Sequence, residues 1–281
     1  MDNNIKISII APRSNNSNNI FSLSEMAYMH MYLQKHGYRI ETNSLVAVTD
    51  LDNDNMESLI EGKIVILVLQ FQSEDLLCWI EKFSRFSPKM TIMYGVTALS
   101  FGKQIQSFYR IESCIVNSFS YSAIDHIIRG RSFQYKQYDM SEIHEPYFEL
   151  IGMDTVPFVP IISSRGCLNS CKFCAFSCSD PCFSKYEMRD YASILSEIKI
   201  YTEQYNKSSF YFVDSCFLTR ELVSKQRAEA LAKAIIESGY RVNLYLECRV
   251  DSVDYDTFAL LKRAGLKRVL LGAENFSSEI L

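Results

Sequence analysis

A chain of 281 residues, 48% hydrophobic and 22% charged, is long enough to bury a real core and close to two domains of about 150 residues each, which excludes a disordered or collagen-like polymer. Its 29 basic and 33 acidic side chains leave a net charge of -4, and the Lys and Arg residues are scattered, so no nucleic-acid partner is expected. The start, Met1 to Lys6, lacks a secretory leader, and the run Ile64 to Leu69 falls far short of the ~20 apolar residues of a spanning helix, so a cytoplasmic protein with no membrane contact is expected.

The first ~130 residues alternate short β-rich runs with helical patterns, the arrangement of βαβ units on a parallel sheet. Strands are expected at Lys6 to Ala11, Tyr38 to Thr42, Ile64 to Leu69, Met90 to Tyr94 and Ser113 to Asn117. Between the first two, Ser22-Leu23-Ser24-Glu25 has the pattern of a capping box. Met26, Met29 and Leu33 follow at helical spacing, and Gly37 supplies a stop. Ser73 to Phe86, carrying Leu76, Leu77, Ile80 and Phe83 and closed by Pro88, reads as another helix. Five strands with interleaved helices predict an α/β class with a flavodoxin-like parallel sheet over residues 1–130.

Residues 131–156 hold no long periodic run and include His144-Glu145-Pro146, so they are expected to link two domains. The second domain is expected over residues 157–281. Its order is strand Phe158 to Ile162, helix Asp190 to Gln204, strand Ser209 to Val213, helix Arg220 to Ser238, strand Val242 to Leu246, helix Asp254 to Ala264 and strand Arg268 to Leu271. Four strand-helix units, the last without its helix, predict a partial (β/α) barrel whose active site lies at the C-terminal strand ends.

Nine cysteines in a chain with no export leader read as metal ligands or buried thiols rather than disulfides. Directly after the strand Phe158 to Ile162, one loop carries Cys167, Cys171 and Cys174 at C-x3-C-x2-C spacing. Such close intervals let a short loop wrap one iron-sulfur cluster, with three thiolates on three irons and the fourth iron open to a ligand. The same residues allow a zinc knuckle, with Cys171 and Cys174 as one hook and Cys178 or Cys182 supplying further ligands. Cys178 and Cys182 read as spare thiols, with an auxiliary cluster as the alternative. Cys216 and Cys248, at strand ends, read as buried thiols or as groups facing the site. Arg165, Lys172 and Arg189 would offset thiolate charge or stand as solvated loop charges.

On C-x3-C-x-aromatic-C after the first barrel strand, the stretch Pro157 to Leu281 resembles the radical S-adenosylmethionine (radical SAM) superfamily. The resemblance implies that Cys167, Cys171 and Cys174 hold a 4Fe-4S cluster and that Phe173 packs near the adenine of S-adenosylmethionine. It further implies that Asp214 and Ser215, ending the second strand, contact the methionine amino group. Glu247 and Arg249, ending the third, would contact its carboxylate or the ribose. Glu274 completes Gly272-Ala273-Glu274, which resembles the family's G-x-E signature. The implied activity is reductive cleavage of S-adenosylmethionine to a 5'-deoxyadenosyl radical that abstracts hydrogen from a small-molecule or peptide substrate, with an electron donor such as flavodoxin or ferredoxin. Methylation, rearrangement, oxidation and peptide crosslinking all stay open as the step that follows.

A flavodoxin-like domain ahead of such a barrel resembles the cobalamin-binding members of the superfamily. Those carry a glycine pair after the fourth strand and G-E-x-E after the fifth. Here Tyr94-Gly95-Val96 and Asn117-Ser118-Phe119-Ser120 depart from both, and no D-x-H-x-x-G ligand occurs. A degenerate domain serving packing or docking is therefore expected, with cobalamin binding as the alternative, and His30, His36, His126 and His144 read as surface or helix residues. Superfamily barrels commonly have six strands, and four are found before Leu281, so an incomplete core is expected that needs a partner chain or is impaired. The rival reading is a catalytically silent iron-sulfur binding or docking protein.

Overall fold

A computed structural model describes residues 5–12, 20–46, 48–52, 54–70, 75–116, 120–133, 139–143, 145–151, 157–180 and 182–274. It divides into two compact units, Met1–Ile151 with Asn169–Phe183, and Gly152–Leu168 with Ser184–Leu281.

The first unit is built on β1 (Lys6–Pro12), β2 (Arg39–Val46), β3 (Ile64–Val68), β4 (Met90–Tyr94) and β5 (Ser113–Val116). All pair in parallel, in the order β2-β1-β3-β4-β5. The order reverses at β1, so right-handed crossovers place helices on both faces. One face carries α1 (Ile20–Lys35) and α5 (Tyr121–Ile128); the other carries α2 (Asp54–Ile60), α3 (Leu76–Phe83) and α4 (Val96–Tyr109). On that second face Ile10, Val65, Leu67 and Met93 pack with Met56, Trp79, Phe83 and Ile105. Two short helices, α6 (Phe148–Ile151) and α7 (Ala175–Ser179), also belong to this unit.

The second unit holds a parallel sheet of β6 (Val159–Ile161), β9 (Ser209–Phe212), β10 (Asn243–Arg249) and β11 (Leu266–Gly272), with strand order β11-β10-β9-β6. A separate antiparallel pair joins β7 (Ser164–Arg165) to β8 (Glu187–Met188). Each crossover helix, α8 (Tyr191–Tyr205), α9 (Leu222–Ser238) and α10 (Tyr255–Ala264), steps the sheet one strand the same way. Right-handed crossovers then put all three on one face. The sheet of the second unit is a partial (β/α) barrel, and that of the first is flavodoxin-like.

Local chemistry explains several boundaries. Asp190 caps α8 by accepting from Ala192 N at 2.8 Å, and Asp254 caps α10 by accepting from Thr257 N at 3.0 Å. Gly265 ends α10 with φ +116°, and a Cβ there would lie 2.1 Å from the Val242 carbonyl oxygen, so the turn into β11 admits only glycine. Gly37, at φ +89°, stops α1 as expected. Ser22, in contrast, lies inside α1, which already runs from Ile20, so its hydroxyl does not begin the helix. β2 extends past Thr42 to Val46 and β10 past Leu246 to Arg249, because strands pair for as long as their neighbour is extended, beyond the apolar runs that mark them. Ser73, Asn117 to Phe119 and His144 lie outside the described residues.

Candidate functional site

In the second unit β6 is buried throughout and delivers Ser163 and Ser164 to its C-terminal end. There Asp214, 2% exposed and just past β9, accepts from the backbone N–H of Ser163 at 2.7 Å and of Ser164 at 2.9 Å, and the Ser163 hydroxyl donates to its second oxygen. Its carboxylate is thus turned onto the chain leading to Cys167, whereas the adjoining Ser215 is exposed. From β8 the Arg189 N–H donates to the Ser163 carbonyl at 2.9 Å, holding the same segment from the other side. Gly166, at φ +79°, then turns the chain to Cys167, whose thiol is buried.

Two of the loop charges are not solvated. Arg165 is buried in β7, and Arg189 is buried in an ion pair with Glu197 at 2.8 Å while donating to the Ile162 carbonyl at 2.8 Å. A buried guanidinium needs such partners, so the Arg189 charge belongs to the fold rather than to a cluster. Lys172 is exposed.

Cys171 and Cys174 are half-buried and stand across one turn, closed by Cys174 N–H on the Cys171 carbonyl at 3.1 Å, in the segment that belongs to the first unit. The next turn donates Cys178 N–H to the Cys174 carbonyl at 3.0 Å and opens α7. Between the two thiols, Phe173 is 69% exposed, its ring free to meet a ligand. The nine cysteines form no disulfide among the described residues, so the three thiols keep the donor chemistry of an iron-sulfur ligand set. Among the described residues no group of three or more His, Cys, Asp or Glu side chains is gathered closely enough to hold a metal ion. Cys178 is exposed, its thiol donating to the Lys172 carbonyl at 3.2 Å, and Cys182 is buried.

Cys216 and Cys248 behave as buried thiols. A hydrogen bond with Cys167, reinforced by burial, holds the Cys216 thiol far above the usual range, and Cys216 donates to the Leu218 carbonyl at 3.1 Å. Burial pushes Cys248 up to about 11.

On β10, Glu247 and Arg249 lie two apart, hence on one face. The Tyr211 hydroxyl of β9 donates to Glu247, and burial raises that carboxyl above its ordinary range. Arg249 donates Nε and Nη2 to the two oxygens of Asp251, each at 3.0 Å, and this fork holds the Asp251 carboxyl below its ordinary range. Glu274 has φ +58°, and a Cβ on residue 272 would fall 2.8 Å from its Oε1, so Gly272 leaves the space into which the Glu274 carboxylate folds back. The site residues missed in the sequence are Arg227, Tyr186 and Tyr211. Their roles depend on contacts across strands and from a helix, and no local pattern marks them.

In the first unit the carboxyl end of β3 holds Gln70, 2% exposed, with neither the oxygen nor the nitrogen of its amide hydrogen-bonded among the described residues. Gly95 faces it with φ +114°, and a Cβ there would lie 2.6 Å from the Leu69 carbonyl oxygen and 3.2 Å from Gln70 Oε1. Near this edge the hydroxyls of Tyr94 and Tyr121 donate to the buried Glu25 at 2.7 and 2.8 Å. His30 is buried in α1, stacked on Tyr147 with ring centroids 4.1 Å apart, and burial lowers it to about 4 despite the pull of Glu149. It is a core histidine, while His36 is exposed and His126 half-buried.

Comparison with known proteins adds three findings. The Radical SAM superfamily model matches residues 161–281. A Pyrococcus horikoshii protein described as the uncharacterized methyltransferase PH0819 is 27% identical over 149 residues, which are 51% of this chain and 31% of that protein. Among solved structures, the chain is similar to the Kitasatospora setae radical S-adenosylmethionine methyltransferase TsrM, solved with cobalamin and a [4Fe-4S] cluster, at a TM-score of 0.75 and 14% identity over 98% of this chain and 60% of that one. It is also similar to the cobalamin-dependent S-adenosylmethionine radical enzyme OxsB, solved with aqua-cobalamin and S-adenosylmethionine, at a TM-score of 0.71 and 13% identity over 99% of this chain and 45% of that one. The chain therefore spans less than two thirds of each of these relatives, and the structural likenesses establish the fold. Among the described residues no helix is long and apolar enough to cross a membrane.

Proposed function

We propose, for a chain whose residues 161–281 match the Radical SAM superfamily model, that Cys167, Cys171 and Cys174 hold a 4Fe-4S cluster at which S-adenosylmethionine is bound and reductively cleaved. The observation that carries this reading is a loop of three cysteines outside any disulfide, directly after the first strand of a singly wound parallel sheet, within the stretch the family model matches. When bound, the cluster supplies the electron that splits the sulfonium, delivered by a donor such as flavodoxin or ferredoxin. The protein's own residues orient S-adenosylmethionine: Phe173 offers an open ring face to adenine, while Ser215, Glu247, Arg249 and Glu274 offer polar groups to its amino acid and ribose. Asp214 acts there chiefly by shaping the backbone of Ser163 and Ser164. The 5'-deoxyadenosyl radical abstracts hydrogen from a small-molecule or peptide substrate, and the named relatives favour methyl transfer as the outcome. The working domain boundaries are 1–130, 131–156 and 157–281. β11 pairs only with β10 among the described residues and exposes Leu270, so further strands, from a longer polypeptide or a partner chain, would complete the barrel.

Anaerobic reconstitution with iron and sulfide, with iron counting and absorption spectroscopy, tests the reading on wild type beside Cys167→Ala, Cys171→Ala and Cys174→Ala. Broad absorption near ~400 nm that collapses in each variant is expected of a cysteine-ligated cluster. A colourless protein that retains zinc would leave a zinc knuckle instead. With dithionite and S-adenosylmethionine the loaded protein is expected to release 5'-deoxyadenosine; a cluster without that product would mean a silent iron-sulfur binding protein.

The orphaned amide of Gln70 favours a second cofactor, cobalamin, on the first unit's sheet edge. A buried amide with both ends unsatisfied costs free energy until a ligand supplies a donor and an acceptor, and the side chains of a corrin carry amides that offer both. Gly95 keeps the space beside it clear. Titration of the full chain with hydroxocobalamin is expected to bind in wild type and at least about tenfold more weakly in Gln70→Leu, the loss of one to two buried hydrogen bonds. No binding to wild type would leave a degenerate domain.

A further inference from the structure

Arg227 lies on α9, far in sequence from the cysteine loop, yet the residue is 7% exposed and its guanidinium bonds to the two strand-end segments beyond β6 and β9. Nη1 donates to the Ser163 hydroxyl at 2.9 Å and approaches the Ser163 carbonyl at 3.4 Å. Nη2 donates to the Phe217 carbonyl at 2.7 Å, and the guanidinium carbon sits 4.8 Å from the centre of the Phe217 ring. Ser163 in turn bonds Asp214, and Phe217 follows Cys216, whose carbonyl accepts from the Ser164 hydroxyl at 3.3 Å. The Tyr186 hydroxyl donates to the same Phe217 carbonyl at 3.1 Å. Removing a guanidinium from water is costly, and a core helix position is filled more cheaply by leucine, so packing alone gives no reason for an arginine here. Its planar fork does what no apolar side chain can, tying together two backbone segments just beyond the ends of the paired strands β6 and β9.

We propose that Arg227 is a positioning residue for the cluster loop: through Ser163 on one side and Phe217 with Cys216 on the other, it fixes where the Cys167 thiol stands. The proposal rests on Cys167 being a cluster ligand only for its consequence, not for its geometry, and the two can fail separately. Without the fork, the Ser163 and Phe217 segments lose one of their ties, keeping the Asp214 bonds and the 3.3 Å bond from the Ser164 hydroxyl to the Cys216 carbonyl, and the first ligand is presented over a wider range of positions.

The test uses the full chain without iron, then with it. Pulsed iodoacetamide labelling read by peptide mass spectrometry follows Cys167 beside Cys248, a second buried thiol of the same unit, in wild type, Arg227→Gln, Arg227→Lys and Ser163→Ala. Arg227→Gln is expected to speed labelling of Cys167 about tenfold with Cys248 unchanged, as loss of hydrogen bonds to a charged donor allows. Lysine, with one point of attachment, is expected to recover part of the effect, and Ser163→Ala to give a smaller change of the same kind. Iron retained after reconstitution should fall in the same order. Equal acceleration of Cys167 and Cys248 would mean general destabilisation and would overturn the proposal. So would labelling of Cys167 within twofold of wild type in a folded Arg227→Gln. Should Arg227→Gln not fold, Ser163→Ala decides, and an unchanged Cys167 rate there overturns the proposal. If wild type takes up no cysteine-dependent iron while the labelling differences hold, the cluster reading fails and the positioning stands.

Discussion

In β3 of the first unit five successive residues are buried, whereas in β10 of the second seven residues alternate between buried and half-buried. Both are inner strands of parallel sheets, and both are flanked by helices on either side in sequence. The difference comes from winding order: β2-β1-β3-β4-β5 reverses direction and receives helices on both faces, while β6-β9-β10-β11 never reverses and receives them on one. The uncovered face of the second sheet then carries Tyr211, Tyr245, Glu247 and Arg249, half-buried polar and aromatic groups that a doubly covered sheet has no room for. A parallel sheet can thus keep its chemistry on a face or only at its edge, depending on whether the chain ever turns back.

The sharpest break in that comparison is electrostatic. Glu197→Gln leaves Arg189 buried without its counter-charge and is expected to destabilise the second unit by about 3–5 kcal/mol in urea unfolding, because an unpaired buried charge costs more than the pair contributes. A loss below about 1 kcal/mol would mean that water reaches Arg189. Next come the strands themselves. Ile66 and Leu67 point to opposite faces of β3 and are both fully buried, so each alanine substitution is expected to cost about 2–5 kcal/mol; in β10, Leu246→Ala should cost as much and Tyr245→Ala clearly less. Equal losses at Leu246 and Tyr245 would contradict a sheet covered on one face.

A pH scan separates the units in a different way. His30 titrates at about 4 in the folded first unit and near its ordinary 6.5 when unfolded, so between those values the unfolded chain binds the extra proton. Stability contributed by neutral His30 is complete above pH 6.5 and is lost as pH falls toward 4, by up to about 3 kcal/mol from the size of the shift. Hydrogen exchange in α1 and β1 at pH 7 and 4.5, on wild type and His30→Gln, measures it; the same pH slope in both proteins would rule His30 out. The smallest effects belong to the surface. Asp190→Ala removes the α8 cap for about 1 kcal/mol, and Glu145→Gln removes an exposed pair with Lys35 at 3.0 Å for less than about 1 kcal/mol. Thermal unfolding of these two variants calibrates what a change away from both cores is worth.

Several features were legible in the residues alone. The spacing of Cys167, Cys171 and Cys174, the apolar runs at Ile64 and Met90, the stop at Gly37 and the helix starts at Asp190 and Asp254 are local patterns, set by contacts within a few residues of one another. For the same reason Ser22 misled, because a capping pattern has the same letters inside a helix as at its start. The parallel sheets were readable because each strand and its crossover helix must bury apolar residues at fixed periods. What tertiary structure alone decided is which charges face inward and what they hold: Arg189 in an ion pair, Asp214 on the backbone of Ser163 and Ser164, Arg227 across two strand ends, and Gln70 buried with its amide unmatched. Those outcomes depend on partners set by the fold, from 8 residues away for Arg189 and Glu197 to 64 for Arg227 and Ser163, and a polar side chain has the same identity whether water or a distant carbonyl completes its hydrogen bonds.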